Sequence, residues 1–248
     1  MNEAGDAATL KHEGAAIERL SDAATERHGD AVTGRRGDAA TKNFADEKSE
    51  TDAPRLDAAA SQSPEAWRRV RSEAVADCRV FQVRRDASVN PRDGSEHDFY
   101  CLDAPDWINI IPLTARDEVV MIEQYRHGAE CVTLEIPGGM VDEGESPREA
   151  AARELLEETG YHAPSILDLG KAYPNPAIQG NWIHIFLAPV VNYQSAPVFD
   201  GTEQTVVRLV PLADVPALIA DGIINHALVI VAFYRLWLYQ QKSAVARP

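Results

Sequence analysis

Long apolar runs, cysteine and positive charge are all scarce in this chain, and each scarcity excludes something. The most apolar stretch, ALVIVAFYRLWLY at 227–239, is too short for a bilayer and is interrupted by Arg235. It reads as a buried C-terminal helix, and no membrane association is expected. Cys78, Cys101 and Cys131 are the only cysteines, an odd number without tight spacing. They suit neither a disulfide framework nor a zinc site, so reduced thiols in a cytoplasmic protein are expected. The first residues are charged and lack an apolar core, so no secretory signal is expected. Lysine and arginine total 24 against 39 aspartates and glutamates, a formal charge of −15. That balance argues against nucleic acid or an anionic membrane surface as partner. It leaves open a phosphate-bearing small molecule, because a divalent cation can mediate between two negative groups.

The first 63 residues hold little that could fold. Five octads run from Gly5 to Phe44, beginning GDAATLKH and ending GDAATKNF, and a polar stretch follows. A period of eight matches neither the helical repeat nor a solenoid unit. Each octad offers alanines and at most one or two larger apolar residues, too little to offset the entropy of ordering it. Residues 1–63 are therefore expected to form a disordered low-complexity tail, and residues 64–248 a folded domain.

In that domain, segments rich in β-branched and aromatic residues read as strands: 78–85, 97–104, 107–114, 118–126, 165–173, 182–191 and 203–212. NPRDG at 90–94 reads as a hairpin connection. VTLEIPGG at 132–139 reads as a short strand that breaks at Pro137, leaving Gly138-Gly139 as a turn. Helices are expected over 213–222 and 225–241, and a central one begins at Ser146. There Ser146 can serve as N-cap, with Pro147 at the first helical position and Glu149 completing a capping box. Gly160 is placed to end the helix in a left-handed conformation. Strands with one central helix and further helices at the end predict an α/β layered domain.

Along the central helix Glu154, Glu157 and Glu158 stand at i, i+3 and i+4, so three carboxylates share a face. Such a cluster is either a solvated surface or a site for a hard cation, which favours oxygen ligands. The flanking Gly-Gly, Glu145 and Arg153 favour the second reading, since a Gly-Gly turn exposes backbone groups without side-chain obstruction.

The stretch GGMVDEGESPREAAARELLEETGY resembles the signature of the Nudix hydrolases. Gly139, Glu145, Arg153, Glu154, Leu155, Glu157, Glu158, Gly160 and Tyr161 fall at its fixed positions. Tyr161 stands where that family usually has an aliphatic residue. The resemblance implies a Nudix-type α/β/α sandwich with a mixed sheet. It implies Mg²⁺ or Mn²⁺ bound by Glu154, Glu157 and Glu158, with a backbone carbonyl at Gly138 or Gly139 joining them. Arg153 would orient the glutamates, and Glu145 would either support the loop or approach a metal. The general base would be a box glutamate or one from a late loop, for which Glu203 is the candidate, with Asp200 behind it.

EQYRHGAECVTLEIPGG at 123–139 resembles the ADP-ribose and nucleoside-diphosphate-sugar branch of that family. Arg126 would contact phosphate or ribose, within its own chain or across a homodimer interface, or else stand as a surface strand residue. Pro176 matches a proline that marks the ADP-ribose subgroup. Trp107 or Trp182 could stack on a base or serve packing, and Gln179 and Asn181 could bond a ribose or cap their loop. The implied activity is metal-dependent cleavage of the pyrophosphate of a small nucleotide. ADP-ribose would give AMP and ribose 5-phosphate. The alternatives are a Nudix hydrolase of a dinucleoside polyphosphate or oxidised nucleotide, and a catalytically silent nucleotide-binding regulatory domain.

Overall fold

Alternation of side chains along the central strands sets the layers of this molecule. The structure, a computed structural model, describes residues 63–199 and 204–245. The expected tail, up to residue 62, and Glu203 with Asp200 lie outside the described residues. Three antiparallel strands come first: β1 (Arg68–Asp77), β2 (Gln82–Val89) and β3 (Glu96–Asp103). β4 (Trp107–Pro112), β5 (Glu118–Arg126), β6 (Cys131–Glu135) and β7 (Gly138–Met140) lead into the helix α1 (Pro147–Thr159). Then come β8 (Tyr161–His162), β9 (Leu167–Ala172), β10 (Ile183–Ala188), β11 (Asn192–Tyr193) and β12 (Thr205–Pro211). The helices α2 (Val215–Ala220) and α3 (Ala227–Val245) close the described chain.

The central sheet has the order β7-β4-β10-β9, with β4 and β10 parallel and the outer pairs antiparallel. A second sheet has the order β12-β5-β6. Successive side chains of a strand point to opposite faces, and both faces of β4, β5 and β10 are apolar. Ile108, Ile110, Val120, Phe186 and Ala188 pack with Ala150, Ala151 and Leu155 of α1. Their neighbours Ile111, Val119, Met121, Ile185 and Leu187 pack with Val229, Phe233 and Leu236 of α3. This is an α/β/α sandwich with a mixed sheet, as expected. Among the described residues no helix is long and apolar enough to cross a membrane.

Two local expectations are corrected. Gly138-Gly139 is not a free turn, because it lies on β7, where Ile108 pairs with Gly139 and Asn109 with Gly138. The strand expected at 78–85 starts only at Gln82, as β2; its first four residues form the turn at Cys78–Phe81 that joins β2 to β1, a strand that was not expected. β1 is exposed along its whole length, so burial leaves no alternating signature in its sequence. Ion pairs and hydrogen bonds to β2, among them Arg85 to Glu73 and Ser72 Oγ to Asp86, carry the pairing instead.

Candidate functional site

α1 starts and stops where its own chemistry dictates. Ser146 accepts from the Glu149 amide, and the Glu149 carboxylate accepts from the Ser146 amide at 2.8 Å. Gly160 takes φ +73° and closes the helix by donating to the Leu156 carbonyl. The buried alanines and Leu155 press one side of α1 against the sheet, which turns Glu154 and Glu158 toward β7 and leaves Glu157 half-exposed.

The two glycines of β7 have different neighbours. The Gly138 amide donates to Glu158 Oε2 at 3.0 Å, and Glu158 is only 4 % exposed. A Cβ at Gly138 would lie 2.5 Å from the Ile108 carbonyl oxygen and 2.4 Å from Asn109 Oδ1. A Cβ at Gly139 would lie 2.1 Å from Glu154 Oε1. The missing side chain at 139 is therefore the space that the Glu154 carboxylate occupies.

Arg153 ties these carboxylates together. Its Nε and Nη2 each donate to Glu145 at 3.0 Å, its Nη1 to Glu154 at 2.9 Å and Glu157 at 3.2 Å. Nη2 also donates to the Met140 carbonyl at 3.0 Å. The Arg153 hydrogen bonds outweigh burial and hold Glu145 below the usual carboxylate range, and Glu145 in turn raises the Arg153 pKa. Among the described residues, no three acidic, imidazole or thiol side chains converge tightly enough to enclose an ion by themselves. Glu154 and Glu158 beside β7, with Glu157 next to them on α1, nonetheless offer an all-oxygen donor set of the type that suits a hard divalent cation completed by water or phosphate.

The other expected site residues are spread more widely. Arg126 makes a two-pronged ion pair with Glu135, at 2.8 and 2.7 Å. Glu135 is 2 % exposed and also bonds Thr133 Oγ1 and His226 Nδ1. Burial raises its pKa, but Arg126 and His226 outweigh that and hold it well below the carboxylate range. Pro176 is exposed in the turn before Gln179. Gln179 donates to Asn181, and Asn181 to the Pro105 carbonyl, so both bond within the loop and its anchor. Trp107 packs against the core beneath α3. Trp182 is stacked on Tyr173 at 3.8 Å, and Lys171 Nζ lies 4.0 Å from its ring centroid. Tyr173 therefore covers one face of the Trp182 ring.

Four residues near these groups were not singled out from the sequence. Glu135 is a lone acid inside an apolar strand, a signal that could have been used. Asp106 accepts from the Trp182 amide and pairs with His184 at 2.9 Å, while its carbonyl accepts from Val141. Thr205 donates to the Glu158 carbonyl at 2.8 Å. These last contacts join residues 35 to 78 positions apart, and no local pattern announces them.

A family profile described as NUDIX domain matches residues 104–231, just over half of the chain. The ADP-ribose pyrophosphatase of Bacillus subtilis is 34 % identical over 84 residues, covering 34 % of this chain and 45 % of that protein. The ADP compounds hydrolase NudE of Escherichia coli is 32 % identical over 138 residues, covering 54 % of this chain and 72 % of that protein. This chain thus spans less than half of the first relative and nearly three quarters of the second. A crystal structure of an ADP compounds hydrolase superposes with a TM-score of 0.64 at 27 % identity, over 73 % of this chain and 98 % of that one.

Proposed function

The chain belongs to the Nudix family, and from that premise we propose that it is a divalent-metal-dependent pyrophosphatase. Its substrate is ADP-ribose or a related nucleoside diphosphate sugar, and ADP-ribose would yield AMP and ribose 5-phosphate. The observation that carries the reading is the packing of Glu154 and Glu158 of α1 against the glycine strand, with Arg153 joined to Glu145, Glu154 and Glu157. The names of the Bacillus subtilis and Escherichia coli relatives support the substrate class.

The donor set fits Mg²⁺ or Mn²⁺. All its groups are hard oxygens, and the space left by the side chain missing at Gly139 admits the Glu154 carboxylate beside the backbone. Glu154, Glu157 and Glu158 would hold the cation, with a backbone carbonyl at Gly139 as a further ligand. When bound, such a cation neutralises pyrophosphate charge and promotes attack by water. Arg153 orients the glutamates through charge-assisted hydrogen bonds, and Glu145 fixes Arg153. Glu203 is assigned the role of general base. The connection that carries it leaves from Val198, whose amide donates to the Glu157 carbonyl, and returns at Thr205, which donates to the Glu158 carbonyl. Arg126, oriented by Glu135, is assigned to substrate phosphate or ribose, and the loop at Pro176 to the nucleoside side.

A homodimer is part of this reading. Trp67 and Phe99, in edge contact, are exposed on one face of the β1-β2-β3 sheet and Tyr100 on the other, apolar groups that a second copy would cover. Sedimentation equilibrium at micromolar concentration should give twice the chain mass, and a monomer would remove the dimer from the reading. Cys78, Cys101 and Cys131 are unpaired, which supports assignment to the reducing cytoplasm.

The deciding experiment is phosphate release, coupled to a phosphatase, from ADP-ribose, nucleoside diphosphate sugars, dinucleoside polyphosphates and an oxidised nucleotide. It is run with Mg²⁺ and with chelator. Turnover of ADP-ribose or a diphosphate sugar that chelator abolishes is expected. Turnover restricted to the other substrates would move the chain to another branch, and tight binding without turnover would make it a sensor.

A further inference from the structure

We propose that Thr205 is a positioning residue for Glu158 and so sets the affinity of the site for its divalent cation. The inference rests on the reading of Glu158 as a metal ligand. The last carbonyls of a helix have no partner within it, and in α1 two consecutive ones are taken by chain that follows 41 and 47 residues later. The Val198 amide donates to the Glu157 carbonyl at 2.9 Å, and Thr205 Oγ1 donates to the Glu158 carbonyl at 2.8 Å. Thr205 is 8 % exposed and is the first residue of β12. Glu158 is thereby held at both ends. Its carboxylate accepts from the Gly138 amide on β7, and its main chain is pinned to β12.

The neighbours of Thr205 provide a control. It pairs with Gln124 of β5, which pairs with Thr133 of β6, so the two threonines share one face of the sheet across a single rung. Both are buried, at 8 % and 7 % exposure. Their hydroxyls differ in destination: Thr133 Oγ1 donates to Glu135, and Thr205 Oγ1 to Glu158. Replacing either by valine removes one buried hydroxyl without changing shape, but only one of them bonds the glutamate of α1.

The test uses the full chain and measures Mn²⁺ binding by electron paramagnetic resonance without substrate, alongside kcat and KM for ADP-ribose and the melting temperature. Thr205→Val is expected to weaken Mn²⁺ binding roughly tenfold, in line with loss of an outer support of a ligand. Its kcat should fall at saturating substrate with KM little changed. Thr205→Ser, which keeps the donor, should restore both, and Thr133→Val should leave Mn²⁺ affinity within about twofold of wild type. Wild-type Mn²⁺ affinity in Thr205→Val overturns the proposal while leaving the function intact. An equal loss in Thr133→Val also overturns it, because the effect would then be general loosening. Should Thr205→Val not fold, Thr205→Cys, with a weaker donor of similar volume, takes its place under the same criteria. A wild-type chain that binds no Mn²⁺ overturns both this proposal and the functional reading.

Discussion

Two adjacent glycines separate stability from activity at the scale of single residues. A methyl group at Gly138 would meet the Ile108 carbonyl oxygen, which is backbone and cannot move without displacing β4. A methyl group at Gly139 would meet the end of the Glu154 side chain, which can swing away. Gly138→Ala should therefore lower the melting temperature by several degrees, while Gly139→Ala should leave it nearly unchanged and lower kcat at least about tenfold. Thermal denaturation and steady-state kinetics on the two variants check this, and an equal melting loss in both would refute the distinction. Glu157→Gln and Glu158→Gln should each lower kcat on the order of tenfold or more by removing a ligand charge. Wild-type rates in both would remove the proposed metal site.

At the scale of elements, α1 was legible because its signals are local. Ser146, Pro147, Glu149 and Gly160 mark both ends within the sequence that forms the helix, and its bounds agree with the expected ones. β5 was legible over its full length because its apolar residues face two packed layers. β1 was not, since RRVRSEAVAD has no buried face and its pairing depends on β2. β7 was read as a turn because three residues carry no periodicity, and only the register with β4 makes them a strand. The site followed the same division: the glutamates on α1 could be read, while Thr205 and the Asp106–His184 pair depend on contacts made by folding. The helix that could be read can also be dissected. Ser146→Ala should cost about 1 kcal/mol in urea unfolding through loss of the cap. Leu155→Ala, at a fully buried position, should cost about 2–5 kcal/mol. A cap loss as large as the core loss would mean that α1 depends on its end more than on its packing.

For the whole molecule, Glu135 joins parts of the chain that are far apart in sequence. It lies on β6, binds Arg126 from the end of β5, and binds His226 just before α3. One carboxylate thus holds the second sheet to the helix that covers the α3 side of the sandwich. Burial opposes its charge, but the two basic partners and Thr133 outweigh that, so its folded pKa lies below the ordinary value of 4.5. A carboxylate with a depressed folded pKa contributes stability that is fully present above its unfolded pKa and is lost as pH falls through the folded one. Glu135→Gln removes that contribution, and because the Arg126 side chain is 39 % exposed and can hydrate, at pH 5.5 it should destabilise the chain by about 1.5–3 kcal/mol. Between pH 5.5 and 3 the wild type should lose stability faster than the variant, and the gap between their urea midpoints should narrow. A gap that is constant across this range, or that widens toward acid, would show that Glu135 is not the anion holding β5, β6 and α3 together.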